Sequence, residues 1–241
     1  MTTYFISDLH LSEATPKLYE AFCSFVDSIA KDADALYILG DFFDAWVGDD
    51  DDSEICQTVK KQLKQYTDAG LTIYFMVGNR DFLLGETFAQ QTGVTLLEDP
   101  SIVEIEGQTL MLMHGDSLCI DDFEYMQFRA QVRNPLWQQQ ALAMPLEQRR
   151  AIAAQMRNQS KTMNSNKAED IMDVNNNTVI NLLAAKNVFT LVHGHTHRPD
   201  VHTIEMPGMK AKRYVLGDWG DKGWYIKAEN GELELVSFDI K

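Results

Sequence analysis

Residues 192–197 read VHGHTH: His193, His195 and His197 alternate with Gly194 and Thr196 directly behind the apolar run Val188–Val192. On a strand, such alternation turns all three imidazoles to one face. Four further apolar runs close on residues of the same kind. ISDLH supplies Asp8 and His10, ILGDFFD supplies Asp41 and Asp44, MVGNRD supplies Asn79, Arg80 and Asp81, and LMHGD supplies His114 and Asp116. One Asp or His at a strand end is ordinarily a cap or turn residue, but five such ends form a set. Imidazole, carboxylate and amide oxygen without cysteine suit a pair of Mn, Fe or Zn ions better than calcium or a structural zinc site. One carboxylate can bridge two cations about 3.5–4 Å apart, and such a pair clamps the attacking and leaving oxygens of phosphoryl transfer.

These residues need elements to carry them. TYFIS, ALYILG, TIYFMVG, TLMLMHG, FTLVHG and RYVLGD read as buried strands. The spacing predicts helices over Lys17–Lys31, Glu54–Ala69 and Gly85–Thr92, and GWYIKAENGELELVSFDI predicts a hairpin turning at Asn230-Gly231. Strands with crossovers followed by pure strands indicate a layered α/β core with mixed sheets. In such folds sites lie at the carboxyl ends of strands, where every one of these residues falls. Ile120–Ala185 is the exception: it lacks strand signals, is rich in Gln, Ala, Met and Arg, and is divided by Pro135 and Pro145. It reads as a helical insertion between two core strands.

The 241 residues suffice for one domain, 1–241, with that insertion at about 120–185. A formal net charge of −15 argues against a nucleic-acid binder. The charge is uneven: Arg129, Arg133, Arg149, Arg150, Arg157, Lys161 and Lys167 stand against the single acid Glu147, which points to a local anionic partner. The DDDD run at 49–52 reads as a solvated loop. MTTYFISDLH lacks the basic start and cleavage site of a signal peptide. No run reaches the ~18 apolar residues of a spanning helix. Cys23, Cys56 and Cys119 are scattered and read as idle thiols in a reducing cytoplasm.

The order Asp8-Leu9-His10, Gly40–Asp44, Gly78–Asp81, His114-Gly115 and Gly194–His197 resembles the calcineurin-like metallophosphoesterases. The resemblance implies a four-layer α/β/β/α sandwich. It also implies that Asp8, His10, Asp41 and His197 hold one metal and Asp41, Asn79, His114 and His195 the other, with Asp41 as the bridge. His193 falls outside that pattern and reads as a hydrogen-bonded support, and Asp44, Asp81 and Asp116 as turn or supporting residues.

Many members carry a histidine after the asparagine of the third motif, where this chain has Arg80. Arginine cannot act as a general acid at neutral pH, but its fork binds phosphate oxygens well. An alkoxide leaving group needs a proton and a departing phosphate monoester does not, so Arg80 favours cleavage of a P–O–P link. Within the insertion, Arg157, Ser160, Asn164 and Lys167 share one helical face. Phe123, Met126, Phe128, Leu136, Trp137, Met144, Ile152 and Met156 provide apolar surface for a greasy lid, suited to acyl chains or a membrane surface.

ISDLHL, LGDFFDAWVGDD, GNRDFL, HGDSLC and HGHTHRP together resemble the UDP-2,3-diacylglucosamine pyrophosphohydrolase family of lipid A biosynthesis over essentially the whole chain. The resemblance implies a Mn2+ pair, no nucleic acid and no obligate protein partner, and peripheral attachment at the cytoplasmic face of the inner membrane. It implies that metal-activated water attacks the α-phosphorus of UDP-2,3-diacylglucosamine to give lipid X and UMP. Catalytic roles then fall on Asp41, Arg80 and His195. Substrate contacts fall on Asn79, Arg80, Asp122, Tyr125, Arg157, Ser160, Asn164, Lys167 and His195. Two alternatives are a soluble phosphoesterase acting on nucleotides or other phosphodiesters, and a scaffold that has lost its chemistry. The complete ligand set argues against the second.

Overall fold

The strands are apolar on both faces, and the structure uses both. The computed structural model describes residues 2–164, 171–206 and 208–241, with the side chains of residues 159 and 161–164 outside that description. In chain order the elements are β1 (Thr3–Ile6), α1 (Pro16–Ile29), β2 (Ala35–Leu39), α2 (Glu54–Asp68), β3 (Thr72–Met76), α3 (Glu86–Thr92), β4 (Thr95–Leu97), β5 (Ser101–Ile105) and β6 (Gln108–Met113). Then come α4 (Phe123–Val132), α5 (Pro135–Leu142), α6 (Leu146–Asn164), α7 (Asn176–Lys186), β7 (Thr190–His193), β8 (Asp200–Met206), β9 (Met209–Val215), β10 (Lys222–Glu229) and β11 (Glu232–Asp239).

One sheet runs β11-β10-β1-β2-β3-β4 and the other β5-β6-β7-β9-β8. Alternation along each strand sorts side chains into three layers of core. In β1 and β2, Ile6 and Ile38 point outward to Phe22, Val26, Leu63 and Phe88 of α1–α3. Their neighbours Phe5, Tyr37 and Leu39 point inward to Leu110, Leu112, Val192 and Tyr214 of the second sheet. Met111, Met113 and Leu191 face the opposite way, onto Val179 and Leu183 of α7. Burying one such Phe or Leu contributes about 1.5–3 kcal/mol, and three layers of them fix the sandwich. The α/β/β/α order is the one that the family resemblance implies.

β1-β2-β3 and β6-β7-β9 are parallel runs, so their carboxyl ends gather on common edges. The C-terminal hairpin turns at Asn230 (φ 53°) and Gly231 (φ 76°), as a type I′ turn requires. α4–α6 and α7 occupy the chain between β6 and β7. Pro135 opens α5, where Asn134 accepts from the amides of Leu136 and Trp137. Three strands have no counterpart in the sequence reading. β4 has only three residues, and β5 and β8 are edge strands with exposed alternate positions, so neither makes a continuous apolar run.

One reading is corrected. The Asp49–Asp52 run is not merely a solvated loop. Asp49 accepts from the amides of Gly85 and Phe88 and so caps α3, while Asp50 pairs with Arg149 and both Asp51 and Asp52 pair with Arg150. Arginines of the basic segment, read as pointing to an outside anion, also have partners within the chain. Arg129 pairs with Asp116, Arg157 with Asp44, and Arg149 and Arg150 with the acidic loop. These partners lie up to about a hundred residues away, where no local pattern could reveal them.

Candidate active site

β7 ends at His193, so the alternation of VHGHTH is not strand alternation. Instead His195 and His197 take left-handed backbone, φ 66° and 55°. Asp8, His10 and Asp41 do the same, at 57°, 50° and 52°. Five of the eight non-glycine residues with positive φ among the described residues thus lie in the predicted metal set. Each such conformation costs about 1–3 kcal/mol outside a turn that wants it. These left-handed residues put Asp8 and His10 into one cluster and split His195 and His197 between two.

The two sheets are sewn together at this edge. His195 N donates to Asp8 Oδ2 (2.9 Å) and His114 Nδ1 pairs with the Leu39 carbonyl (2.9 Å), while within the second sheet Gly194 N donates to the His114 carbonyl (2.9 Å). Close approach leaves no room for Cβ atoms: one on Gly194 would overlap Asp8 Oδ2 and Ser7 Oγ, and one on Gly78 would overlap Asp41 Oδ1.

Two clusters result, each with ligand atoms within 4.8 Å of one another: Asp8, His10 and His197, and Asp41, His114 and His195. In the first, His10 Nε2 and His197 Nε2 converge to 3.3 Å and Asp8 Oδ1 lies 3.4 Å from His197 Nε2. In the second, His114 Nε2 is 3.6 Å from Asp41 Oδ1 and 2.9 Å from Asn79 Oδ1. Asp8 Oδ1 is buried with no hydrogen-bond donor among the described residues. Burial drives His195 down to about 3 and His10 to about 4, which keeps these imidazoles in the neutral, ligating form. Burial also pushes His114 down, but the carboxylates of Asp41, Asp8 and Asp116 overcome it and hold His114 up at about 9. This cluster of acids calls for positive charge. Orphaned oxygen, neutral imidazoles and converging nitrogens fit a divalent cation pair.

A cavity of about 440 Å³ adjoins the clusters. Its polar lining includes Asp44, Asn79, Arg80, Glu124, Tyr125, Arg149, Arg157 and Ser160, and its apolar lining Trp46, Phe82, Phe128, Trp137, Met144, Ile152 and Met156. Arg80 Nε is buried without a hydrogen-bond acceptor among the described residues, its nearest carboxylate being Asp41 Oδ2 at 3.9 Å.

The calcineurin-like phosphoesterase family model matches residues 1–199. The UDP-2,3-diacylglucosamine hydrolase of Cellvibrio japonicus is 49% identical over 240 residues, covering 100% of both chains. That of Hahella chejuensis is 48% identical over 237 residues, 98% of this chain and 97% of the relative. That of Yersinia pseudotuberculosis serotype O:1b is 46% identical over 238 residues, 99% of both. This chain belongs to the UDP-2,3-diacylglucosamine hydrolase family of calcineurin-like phosphoesterases.

Within this family frame, the structure brings Asp8, His10, Asp41, Asn79, Arg80, His114, His195 and His197 to one edge. Tyr125 joins them from α4, its ring centroid 5.6 Å from that of His195 and its hydroxyl donating to Asp116 Oδ2 (2.6 Å). Arg157 lines the cavity while pairing with Asp44. Asp122 instead caps α4 by accepting from Tyr125 N and is not among the lining residues. Lys167 and the side chain of Asn164 lie outside the described residues. His193 supports: it bonds the Gly194 carbonyl and Arg213, and is fully buried. Asp81 likewise accepts from Gly78 N and Phe42 N, shaping the turn that carries Asp41. Two residues were missed. Ser7 Oγ donates to Asp8 Oδ2 (2.5 Å), and Asp218 Oδ2 lies 3.6 Å from His197 Nδ1. The Gly217-Asp218 end of RYVLGD was the available signal for the second.

Proposed function

We propose that the chain hydrolyses the pyrophosphate of UDP-2,3-diacylglucosamine in lipid A biosynthesis, with attack at the α-phosphorus, to release UMP and 2,3-diacylglucosamine 1-phosphate. The observation that carries this is the joining of two ligand clusters to one long apolar cavity through a cationic neck, Arg80 and Arg157. A soluble nucleotide phosphoesterase has no use for such a cavity. We read the whole chain as one catalytic domain whose helices α4–α6 form the lid.

Asp8, His10, Asp41 and His197 would hold one Mn2+, and Asp41, Asn79, His114 and His195 the other, with Asp41 shared. When bound, such a pair supplies water acidic enough to attack at neutral pH and positive charge for the phosphoryl oxygens. The chain's own residues do the rest. Arg80 N–H already fixes Asp41 through Oδ1 (2.8 Å), and its guanidinium, with a free buried Nε, offsets charge on the diphosphate. His195 is held neutral by burial beside the attacked phosphate. Tyr125, buried and locked to Asp116, keeps its proton and can only donate or pack. Arg157 can exchange its Asp44 partner for phosphate. Nothing protonates the leaving group, and none is needed, because a phosphate monoester departs as a stable anion. The acyl chains occupy the apolar cavity, where displacement of water drives binding. Ser160, Asn164, Lys167 and Asp122 complete the sugar and phosphate contacts in this reading.

We place the chain peripherally on the cytoplasmic face of the inner membrane. No helix among the described residues is long and apolar enough to cross a membrane, while Phe123 and Leu136 stand 76% and 68% exposed on the lid. Turnover in ¹⁸O-water tests the chemistry: the label enters UMP. Label in the lipid phosphate would refute attack at the α-phosphorus.

A further inference from the structure

The apolar cavity carries a charged residue on its wall about two turns of α6 away from Arg157. Arg149, on the first turn of α6, lines the cavity yet is only 6% exposed. Its Nε donates to the Met144 carbonyl (2.9 Å), Nη1 to the Val47 carbonyl (2.6 Å) and Asp50 Oδ1 (2.7 Å), and Nη2 to Asp50 Oδ2 (2.5 Å). Four of its five N–H groups are therefore engaged, so the guanidinium sits beside apolar surface without a large desolvation cost. Gly48 makes this possible: a Cβ there would overlap Arg149 Nη1 and crowd Leu142. The Asp50 side chain is 63% exposed, so solvent lies just beyond the pair. Arg157, at the neck, is eight residues along the same helix, a distance of about 12 Å at the α-helical rise.

We propose that Arg149, clamped by Asp50 across Gly48, is the end stop of the cavity and sets the longest acyl chain the protein accepts. This rests on the acyl reading of the cavity given above. A chain that ends short of Arg149 leaves the tip of the cavity unfilled. A chain that passes it must either fold back or break a bidentate ion pair whose partners are otherwise satisfied. A rigid polar stop therefore discriminates by length more sharply than an aliphatic wall, which yields by changing rotamer.

The test is the specificity constant kcat/KM for UDP-2,3-diacylglucosamines whose acyl chains step two carbons at a time through the wild-type optimum, with the deacylated compound as baseline. Wild type passes through an optimum and falls on the long side. Arg149→Ala opens the end to solvent and raises the ratio of over-long to optimal substrate about tenfold or more. Ala153→Leu, one turn inward on the same helix and lining the cavity, moves the optimum to shorter chains. Because that second variant keeps the ion pair, the proposal stays testable should Arg149→Ala fail to fold, which a thermal melt reports. Equal effects of both variants on every chain length would overturn the end stop while leaving the acyl reading intact. A wild-type protein indifferent to acyl length and to deacylation would instead overturn the acyl reading itself.

Discussion

The ligand-bearing loops and the helical insertion hold their functional side chains in opposite ways. In the loops, backbone does the positioning: left-handed residues, glycines with no room for a Cβ and buried acids such as Asp81 that accept several amides. In the insertion, side chains do it. α6 is pinned by Arg149, Arg150 and Arg157 to the acidic loop and to Asp44, and α4 by Tyr125 and Arg129 to Asp116. Backbone geometry defines the distances between ligand atoms closely, as metal coordination requires. The ion pairs of the insertion act through longer side chains, and at Arg149 four engaged N–H groups make even that link rigid. The loops are thus fixed by backbone and the insertion by side-chain pairing.

That contrast can be broken in stages. The largest effect is expected at Asp41. Asp41→Ala should reduce kcat/KM by well over ~100-fold, beyond what removing a residue that merely supports a ligand costs. Yet the melting temperature of the metal-free protein should fall little, because burial and Asp8, which disfavour that carboxylate, oppose the stabilising His114 and Arg80. Paired kinetics and calorimetry check this; retained activity would remove Asp41 from the centre. Next is Gly194→Ala, which changes no ligand. The added methyl must push Asp8 and Ser7 away, so a loss of about 10–100-fold in activity together with about 1–3 kcal/mol of stability is expected. Activity close to wild type would show that the loops are softer than their contacts imply. The smallest effect is expected on the lid surface. Phe123→Ala with Leu136→Ala should leave hydrolysis of a detergent-dispersed substrate nearly unchanged. Flotation with anionic liposomes should drop about tenfold or more, since each removed side chain forfeits buried apolar area. Flotation unaffected by the pair of substitutions would confine the lid to enclosing substrate.

Much of the core was legible because its information is local. Phe5, Ile38, Leu112 and Val192 lie in continuous apolar runs, since these strands are covered on both faces, and each run stops at a Gly, Asp or His that cannot continue it. The insertion was legible as helix from Pro135, Pro145 and the absence of strand runs. β5 and β8 were not, because exposed alternate positions on an edge dilute the apolar signal. The roles of the charges were least legible. Asp49–Asp52 and the arginines of α6 each look solvated alone, and only long-range folding makes them partners.

Taken alone, the sequence determined which residues end the buried strands and that those ends carry a metal-competent set. Residue chemistry and strand periodicity act over a few positions, so both can be read directly. Only the tertiary structure decided how VHGHTH is used. The strand stops at His193, the next two histidines turn through left-handed backbone, and each meets residues delivered by the opposite sheet. It also decided that the acidic loop and the basic helix pair with each other and set Arg149 in the wall of the apolar cavity. Such pairings depend on distances between segments a hundred residues apart, and those distances exist only after the two sheets have packed.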